Sequence, residues 1–203
     1  MSPPRQGTLA EVHTALWQEL TRAPHDKHHE WRTPVLATVD GDAADARTVV
    51  LREVDAQAAT LLFFSDARAG KLAQLQATPL GTLVLWSRRL SWQLRLRVAL
   101  SADTEGPDVA ARWAQVRLTP AAQDYLSPLA PGAPIAATEA DDDPAATAAP
   151  AGSLSPDLQP AMSDRSHFAL LRAHVLTTDW LELHRDGHRR ARFDVGGGRW
   201  LVP

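Results

Sequence analysis

At 203 residues the chain has the length of one domain, and 44% hydrophobic with 22% charged residues can build a globular core. A net charge of −3 argues against a bulk nucleic-acid binder, and the absence of cysteine excludes disulfides, thiolate metal centres and a cysteine nucleophile. No apolar run reaches the roughly 18 residues of a membrane span, and residues 1–7 lack the apolar stretch of a secretory signal. The expectation is a soluble cytoplasmic protein with no nucleic-acid or membrane partner.

Leu9, Val12, Leu16 and Leu20 recur at helical spacing, which predicts a helix over 8–22 with Thr8 as N-cap and Pro24 as its stop. The stretch 25–30 holds three histidines, but no ligand cluster of defined spacing accompanies them, so it reads as a solvated connector and no metal site is expected. Short β-branched runs predict strands at 33–39, 47–54 and 60–65, with Gly41-Asp42 as a turn. Asp66 is placed to cap a helix over 67–77, which Pro79 stops. Strands follow at 82–86 and 90–101. In the second, Trp92, Leu94, Leu96, Val98 and Leu100 alternate with Gln93, Arg95, Arg97 and Ala99. Residues 107–126 read as helical.

Composition changes at 127–163, a Pro/Ala-rich stretch that carries five carboxylates and no lysine or arginine. It reads as a flexible insertion, not a second domain. Without it the remainder is mildly basic, which suits a small anionic ligand. Beyond it, 165–172 reads as helical and 174–184, 189–195 and 199–202 as strands, with Asp186-Gly187 as a hairpin turn. Many antiparallel strands and few helices predict an α+β chain, mainly β, with helices packed outside a barrel.

No Gly-rich nucleotide loop, Walker loop or nucleophile elbow is present. Three segments carry the candidate chemistry. Arg47-Thr48-Val49-Val50-Leu51-Arg52 is a strand bracketed by arginines. In Phe64-Ser65-Asp66-Ala67-Arg68-Ala69-Gly70-Lys71 a strand runs into a helix start that offers a hydroxyl, two cations and free N–H groups, all suited to a phosphate. Gln93-Leu94-Arg95 places an amide and a cation on one strand face. By simple alternation Arg47 and Arg52 lie on opposite faces, so they can serve one ligand only if the strand bulges or ends between them, or if the ligand lies at a subunit boundary.

Taken in order, these segments resemble the pyridoxamine 5′-phosphate oxidase-like, FMN-binding split-barrel family, and His188-Arg189-Arg190-Ala191-Arg192-Phe193 resembles its C-terminal stretch. The resemblance covers about residues 8–126 and 164–203. It implies an antiparallel split β-barrel with peripheral helices, one domain over 1–203, and a homodimer with FMN at the subunit interface. Carried over, Arg47, Arg52, Ser65 and Lys71 would contact the phosphate or ribityl chain, with Arg68 supplying further charge. The backbone of Thr48, Val49, Val50, Leu51 and Phe64 would lie along the flavin, while Gln93 and Arg192 would reach it. Arg117, His188 and Arg190 are the candidates for contact with a small-molecule substrate. The chain departs from true oxidases where it carries Arg52, Trp113, Arg117 and Ala121 in place of a Lys, Tyr, Arg and Ser that hold the substrate phosphate. His188 and Arg190 are interchanged. The expectation is an FMN-binding flavoprotein oxidoreductase of unknown substrate; the alternatives are a true pyridoxamine/pyridoxine 5′-phosphate oxidase or a non-catalytic flavin carrier or sensor.

Overall fold

The computed structural model describes residues 7–135 and 167–203. Helix α1 (Leu9–Arg22) opens the fold, and Thr8 closes a capping box with Glu11: the Glu11 N–H donates to Thr8 Oγ1 at 3.2 Å and the Thr8 N–H returns to Glu11 Oε2 at 2.9 Å. Its buried stripe Val12, Leu16 and Leu20 packs on the sheet core. Pro24 starts a 3-10 turn over Ala23–His25 instead of ending the helix abruptly. The three-histidine connector is not uniformly solvated. His29 is buried, lies 2.8 Å from Glu19 Oε2 through Nε2, and accepts the Trp31 N–H at Nδ1.

Nine antiparallel strands follow: β1 (Val35–Asp40), β2 (Ala43–Thr48), β3 (Leu51–Asp55), β4 (Thr60–Asp66), β5 (Leu80–Ser87), β6 (Trp92–Asp103), β7 (Phe168–Glu182), β8 (Arg189–Asp194) and β9 (Gly197–Leu201). The order is β2-β1-β5-β6-β7-β4-β3, with β8 pairing β7 and β9. β7 causes the split. One edge pairs with β6 along most of the strand; the other pairs with β4 over its first half and with β8 over its second. The register slips between Arg97 and Val98 opposite Val175–Thr177, where β7 changes its outer partner. The fold is an antiparallel α+β split barrel with helices outside, as the strand pattern predicts.

The alternation in β6 holds. Trp92, Leu94, Leu96, Val98 and Leu100 are buried, and with Trp31 and Trp180 they form the main core. A smaller core of Leu62, Val109, Tyr125, Phe168 and Leu170 lies beneath α3 (Pro107–Val116) and α4 (Gln123–Leu126).

Four expectations are corrected. The stretch expected as helix 165–172 is β strand from Phe168 onward. Phe168, Ala169, Leu170 and Leu171 are all buried because β7 is central and covered, so no strand alternation marks it. The 47–54 strand is two: pairing stops at Thr48 and resumes at Leu51, and Val49 donates its N–H to Pro34 O. The expected 107–126 helix breaks after Val116, and Pro120 opens a 3-10 turn before α4. Helix α2 (Gly70–Ala77) starts three residues later than expected, with no side-chain cap, because Asp66 is committed to Arg68. Residues 127–135 hold neither helix nor strand, and the rest of the expected insertion lies outside the described residues.

Candidate functional site

Arg47 leaves β2 toward α2. Its guanidinium donates to Thr38 Oγ1 at 2.5 Å and to Gln74 Oε1 at 3.2 Å, and it pairs closely with the Asp45 carboxylate. Gln74 Nε2 donates to Asp45 Oδ2 at 2.8 Å, which closes the network. Gln74 lies one turn after Lys71 on α2, so both side chains share a helix face. Lys71 is half-buried. Burial, then the neighbouring Arg47 guanidinium, push its ammonium below the ordinary lysine range, while Asp66 pulls more weakly the other way. Among the described residues Lys71 has no hydrogen bond or ion pair; Arg47 is paired with Asp45, and the Asp66 carboxylate that pulls on Lys71 is itself forked by Arg68. That donor set fits a phosphate.

The other residues of the helix start are committed within the chain. Arg68 forms a fork on Asp66, with Nε to Oδ1 at 3.0 Å and Nη2 to Oδ2 at 2.7 Å, and donates to the Ser127 and Pro128 carbonyls. Ser65 is buried and donates to Asp66 O at 3.1 Å.

Arg52 occupies the place where the β3–β4 register shifts, between Leu51 and Glu53. The strand end after Thr48 and the bulge at Arg52 release the alternation that would set Arg47 and Arg52 on opposite faces; within the chain their contacts differ, Arg47 bonding Thr38, Asp45 and Gln74 and Arg52 packing on Phe64. The Arg52 guanidinium lies over the Phe64 ring at 5.2 Å, and its buried Nε has no partner. Beside it is a pocket of about 180 Å³ lined by Phe64, Gln115, Val116, Thr119, Ala121 and Tyr125. Arg117 is exposed and does not line it.

A third constellation spans β6, β7 and β8. The register aligns Arg95, Asp179 and Arg192 in one row and Gln93, Leu181 and Arg190 in the next, so all six share a sheet face. Arg95 and Arg190 reach Asp179 Oδ2 at 3.0 and 2.8 Å, and Arg192 stands 3.4 Å away. Burial pushes the Asp179 carboxyl up, but Arg190 and Arg95 together outweigh it and hold it below the ordinary carboxylate range. The buried Nε atoms of Arg95 and Arg192 have no partner. Three guanidiniums around one carboxylate leave the cluster positive, and Gln93 adds an amide beside it. His188 sits in the preceding loop and accepts the His184 N–H at Nδ1, 3.1 Å away.

Sequence reasoning missed Asp45, Gln74, Asp179 and Tyr125. Asp45 was findable from its i, i+2 relation to Arg47, and Gln74 from its i, i+3 relation to Lys71. Asp179 and Tyr125 meet their partners only across long sequence separations. No group of three or more His, Asp or Glu side chains placed to hold a metal ion occurs among the described residues. A groove of about 700 Å³ runs along α1 past His13, Trp17 and His25 and holds none of the candidate residues.

Residues 13–102 match the family model described as pyridoxamine 5′-phosphate oxidase, FMN-binding domain. That span contains Arg47, Arg52, Lys71 and Gln93. None of the curated proteins compared matches the chain. Among solved structures, a pyridoxamine 5′-phosphate oxidase-related, FMN binding protein from Nostoc punctiforme is 21% identical with a TM-score of 0.68, covering 97% of this chain and 100% of its own. PhzG from Burkholderia lata, solved with tetrahydrophenazine-1-carboxylic acid, is 17% identical with a TM-score of 0.66, covering 99% of this chain and 94% of its own. At these identities the two structures share the fold.

Proposed function

We propose that this chain, whose residues 13–102 match the pyridoxamine 5′-phosphate oxidase FMN-binding domain model, is a divergent member of that family and an FMN-dependent oxidoreductase of a small-molecule substrate, working as a homodimer. The observation that carries the reading is Lys71. A half-buried ammonium beside Arg47, with no bonded partner of its own among the described residues, calls for an anion that the chain does not supply. The flavin phosphate provides it. When bound, FMN supplies hydride chemistry, accepting two electrons from a reduced substrate and passing them to an acceptor.

The chain's own groups bind and orient. Lys71 and Arg47 hold the phosphate, and Thr38, Gln74 and Asp45 fix the Arg47 fork. The Val49–Val50 break, free of the strand ladder, gives backbone against which a flat ring can lie. Gln93 and Arg192 occupy a sheet face reached from a second copy, where they orient the ring. Arg190, held by Asp179 beside them, is the group best placed to meet a substrate there; His188 borders the same hairpin.

Titration of the purified protein with FMN, FAD and riboflavin tests this. FMN binds at least about tenfold more tightly than riboflavin, the contribution expected of charge-assisted phosphate contacts. Lys71→Ala brings FMN down toward riboflavin while the melting temperature holds. Equal affinity for FMN and riboflavin in the unaltered protein overturns the reading. Oxygen consumption by the reconstituted protein with candidate reductants then separates an oxidoreductase from a flavin carrier.

A further inference from the structure

Arg68 and Lys71 are the two cations of the turn that enters α2, and the fold treats them in opposite ways. Arg68 is committed on both sides. Its Nε and Nη2 fork onto the Asp66 carboxylate at 3.0 and 2.7 Å. Nη2 and Nη1 also donate to Ser127 O and Pro128 O, at 3.0 and 3.3 Å. Lys71 has no hydrogen bond or ion pair among the described residues. Both cations stand near one buried carboxylate. Asp66 ends β4, accepts the Arg68 N–H at Oδ1, 2.7 Å away, and accepts the Ala69 N–H at its carbonyl, 3.1 Å away. Burial pushes the Asp66 carboxyl up, but its bonds with Arg68 outweigh that and hold it below the ordinary carboxylate range, so it is ionised at neutral pH. Its charge also reaches Lys71, more weakly than burial and Arg47 do.

We propose that Arg68 is a positioning residue for the flavin phosphate site: it sequesters the Asp66 carboxylate and so keeps Lys71 available to an external anion. The inference rests on the FMN reading above, in which Lys71 holds the phosphate. A half-buried ammonium near an unclaimed buried carboxylate pairs with it, because neither charge has full access to water. Such a pair would neutralise Lys71 and set a negative charge where a dianion must approach. The Arg68 fork covers both carboxylate oxygens, a planar two-point match that a lysine cannot make. The Ser127 and Pro128 carbonyls hold the guanidinium from its other side, so it stays on Asp66. Arg47 already shares its charge with Asp45, which leaves Lys71 as the cation of the site that no bonded carboxylate claims. A structural ion pair and a charge guard predict different things. A pair that only shapes the turn makes either partner's removal harmful to the site. A guard makes removal of the cation harmful and removal of the anion harmless.

FMN and riboflavin affinities are measured by flavin fluorescence for the parent, Arg68→Gln, Asp66→Asn and the double variant. Arg68→Gln weakens FMN at least about tenfold and leaves riboflavin unchanged. Asp66→Asn keeps an oxygen for the Arg68 N–H and holds FMN within about threefold of the parent, or tightens it. The double variant recovers the FMN affinity that Arg68→Gln loses. A second readout is Lys71 itself, in apo protein. Lys27 and Lys71 are the only lysines in the chain, so lysine labelled with ¹³C at Cε gives two resonances, assigned with Lys27→Arg. Lys71 titrates at higher pH in Arg68→Gln than in the parent, as an ammonium that has gained a carboxylate must, and returns in the double variant. Exposed Lys27 does not move.

Full FMN affinity in Arg68→Gln, an equal loss of riboflavin, a loss of FMN in Asp66→Asn, or a Lys71 titration that Arg68→Gln leaves in place overturns the proposal. Asp66→Asn leaves no buried carboxylate unpaired, so its result decides between guard and structural pair even where Arg68→Gln is too unstable to measure. Parent protein that binds FMN no better than riboflavin overturns the phosphate reading instead, and the Lys71 titration in apo protein then judges separately whether Arg68 keeps Asp66 from Lys71.

Discussion

Asp45 sets a limit on how strongly Arg47 can hold a phosphate. Its carboxylate, kept below the ordinary range by the Gln74 amide and by Arg47, stays ionised at neutral pH and occupies part of the guanidinium fork. An incoming phosphate must share that fork and approach a negative charge. Asp45 is half-exposed, so solvent screens the repulsion and the effect is modest. Asp45→Asn should therefore tighten FMN binding by at most a few-fold and leave riboflavin unchanged. Flavin fluorescence titration measures both. An equal gain for riboflavin, or none for FMN, would remove Asp45 from the phosphate site. Arg52 shows the other side of residue-scale reasoning. Alternation along 47–54 sets it opposite Arg47, but strand pairing stops after Thr48 and a bulge falls at Arg52, so alternation does not govern the pair. Neither leaves a mark in side-chain polarity, because a bulge is set by pairing with the partner strand.

β6 and β7 lie side by side, yet only one of them is legible in sequence. β6 has one wet face, so its polar residues alternate with the core residues, and that alternation predicts it closely. β7 begins as an unbroken buried run between β4 and β6, and a continuous apolar stretch reads equally well as a buried helix. The Arg95–Asp179–Arg192 row depends on β7 lying between β6 and β8, so the candidate cluster was visible as separate arginines while its carboxylate was not. That carboxylate ties three strands together. Asp179→Asn removes the carboxylate that three guanidiniums share and should cost about 1–3 kcal/mol, below the full value for a buried pair because the arginines stay partly solvated. The pH dependence follows from the sign of the shift. A carboxyl held below its unfolded pKa stabilises the fold above that value, about 3.9 for Asp, and loses the contribution as pH falls through the folded one. The stability gap between parent and variant should be full at neutral pH and shrink below about pH 4. Chemical denaturation across that range checks it; a gap that stays constant into acid would assign the loss to packing instead of charge.

At the scale of the whole molecule, one sheet face carries more apolar surface than a solitary barrel needs. Val35, Val39, Leu80 and Trp86 are each 40–44% exposed. The ladders put them on one side: Val35 pairs with Val84, two residues from Trp86, and Trp86 pairs with Gln93. The same face continues through Arg95 to Asp179, Arg190 and Arg192. An apolar patch continuous with a polar, positively charged margin has the layout of a protein interface, and Trp86, where the patch meets that margin, is the residue type that dominates such contacts. In the homodimer proposed above, a second copy would cover this face and bring Gln93 and Arg192 to a flavin held by Lys71 and Arg47 of its neighbour. The face and the flavin site then fail together. Trp86→Glu places a charge in the patch and should weaken dimerisation by about 2 kcal/mol or more, roughly thirtyfold in dissociation constant. Trp86 makes none of the Lys71 or Arg47 contacts, yet FMN affinity should fall with dimer content and recover as protein concentration rises. Sedimentation at a series of concentrations, read beside flavin fluorescence in the same samples, tests the coupling. A monomer that holds FMN at full affinity would show that one barrel completes the site by itself and would leave the apolar face to some other partner.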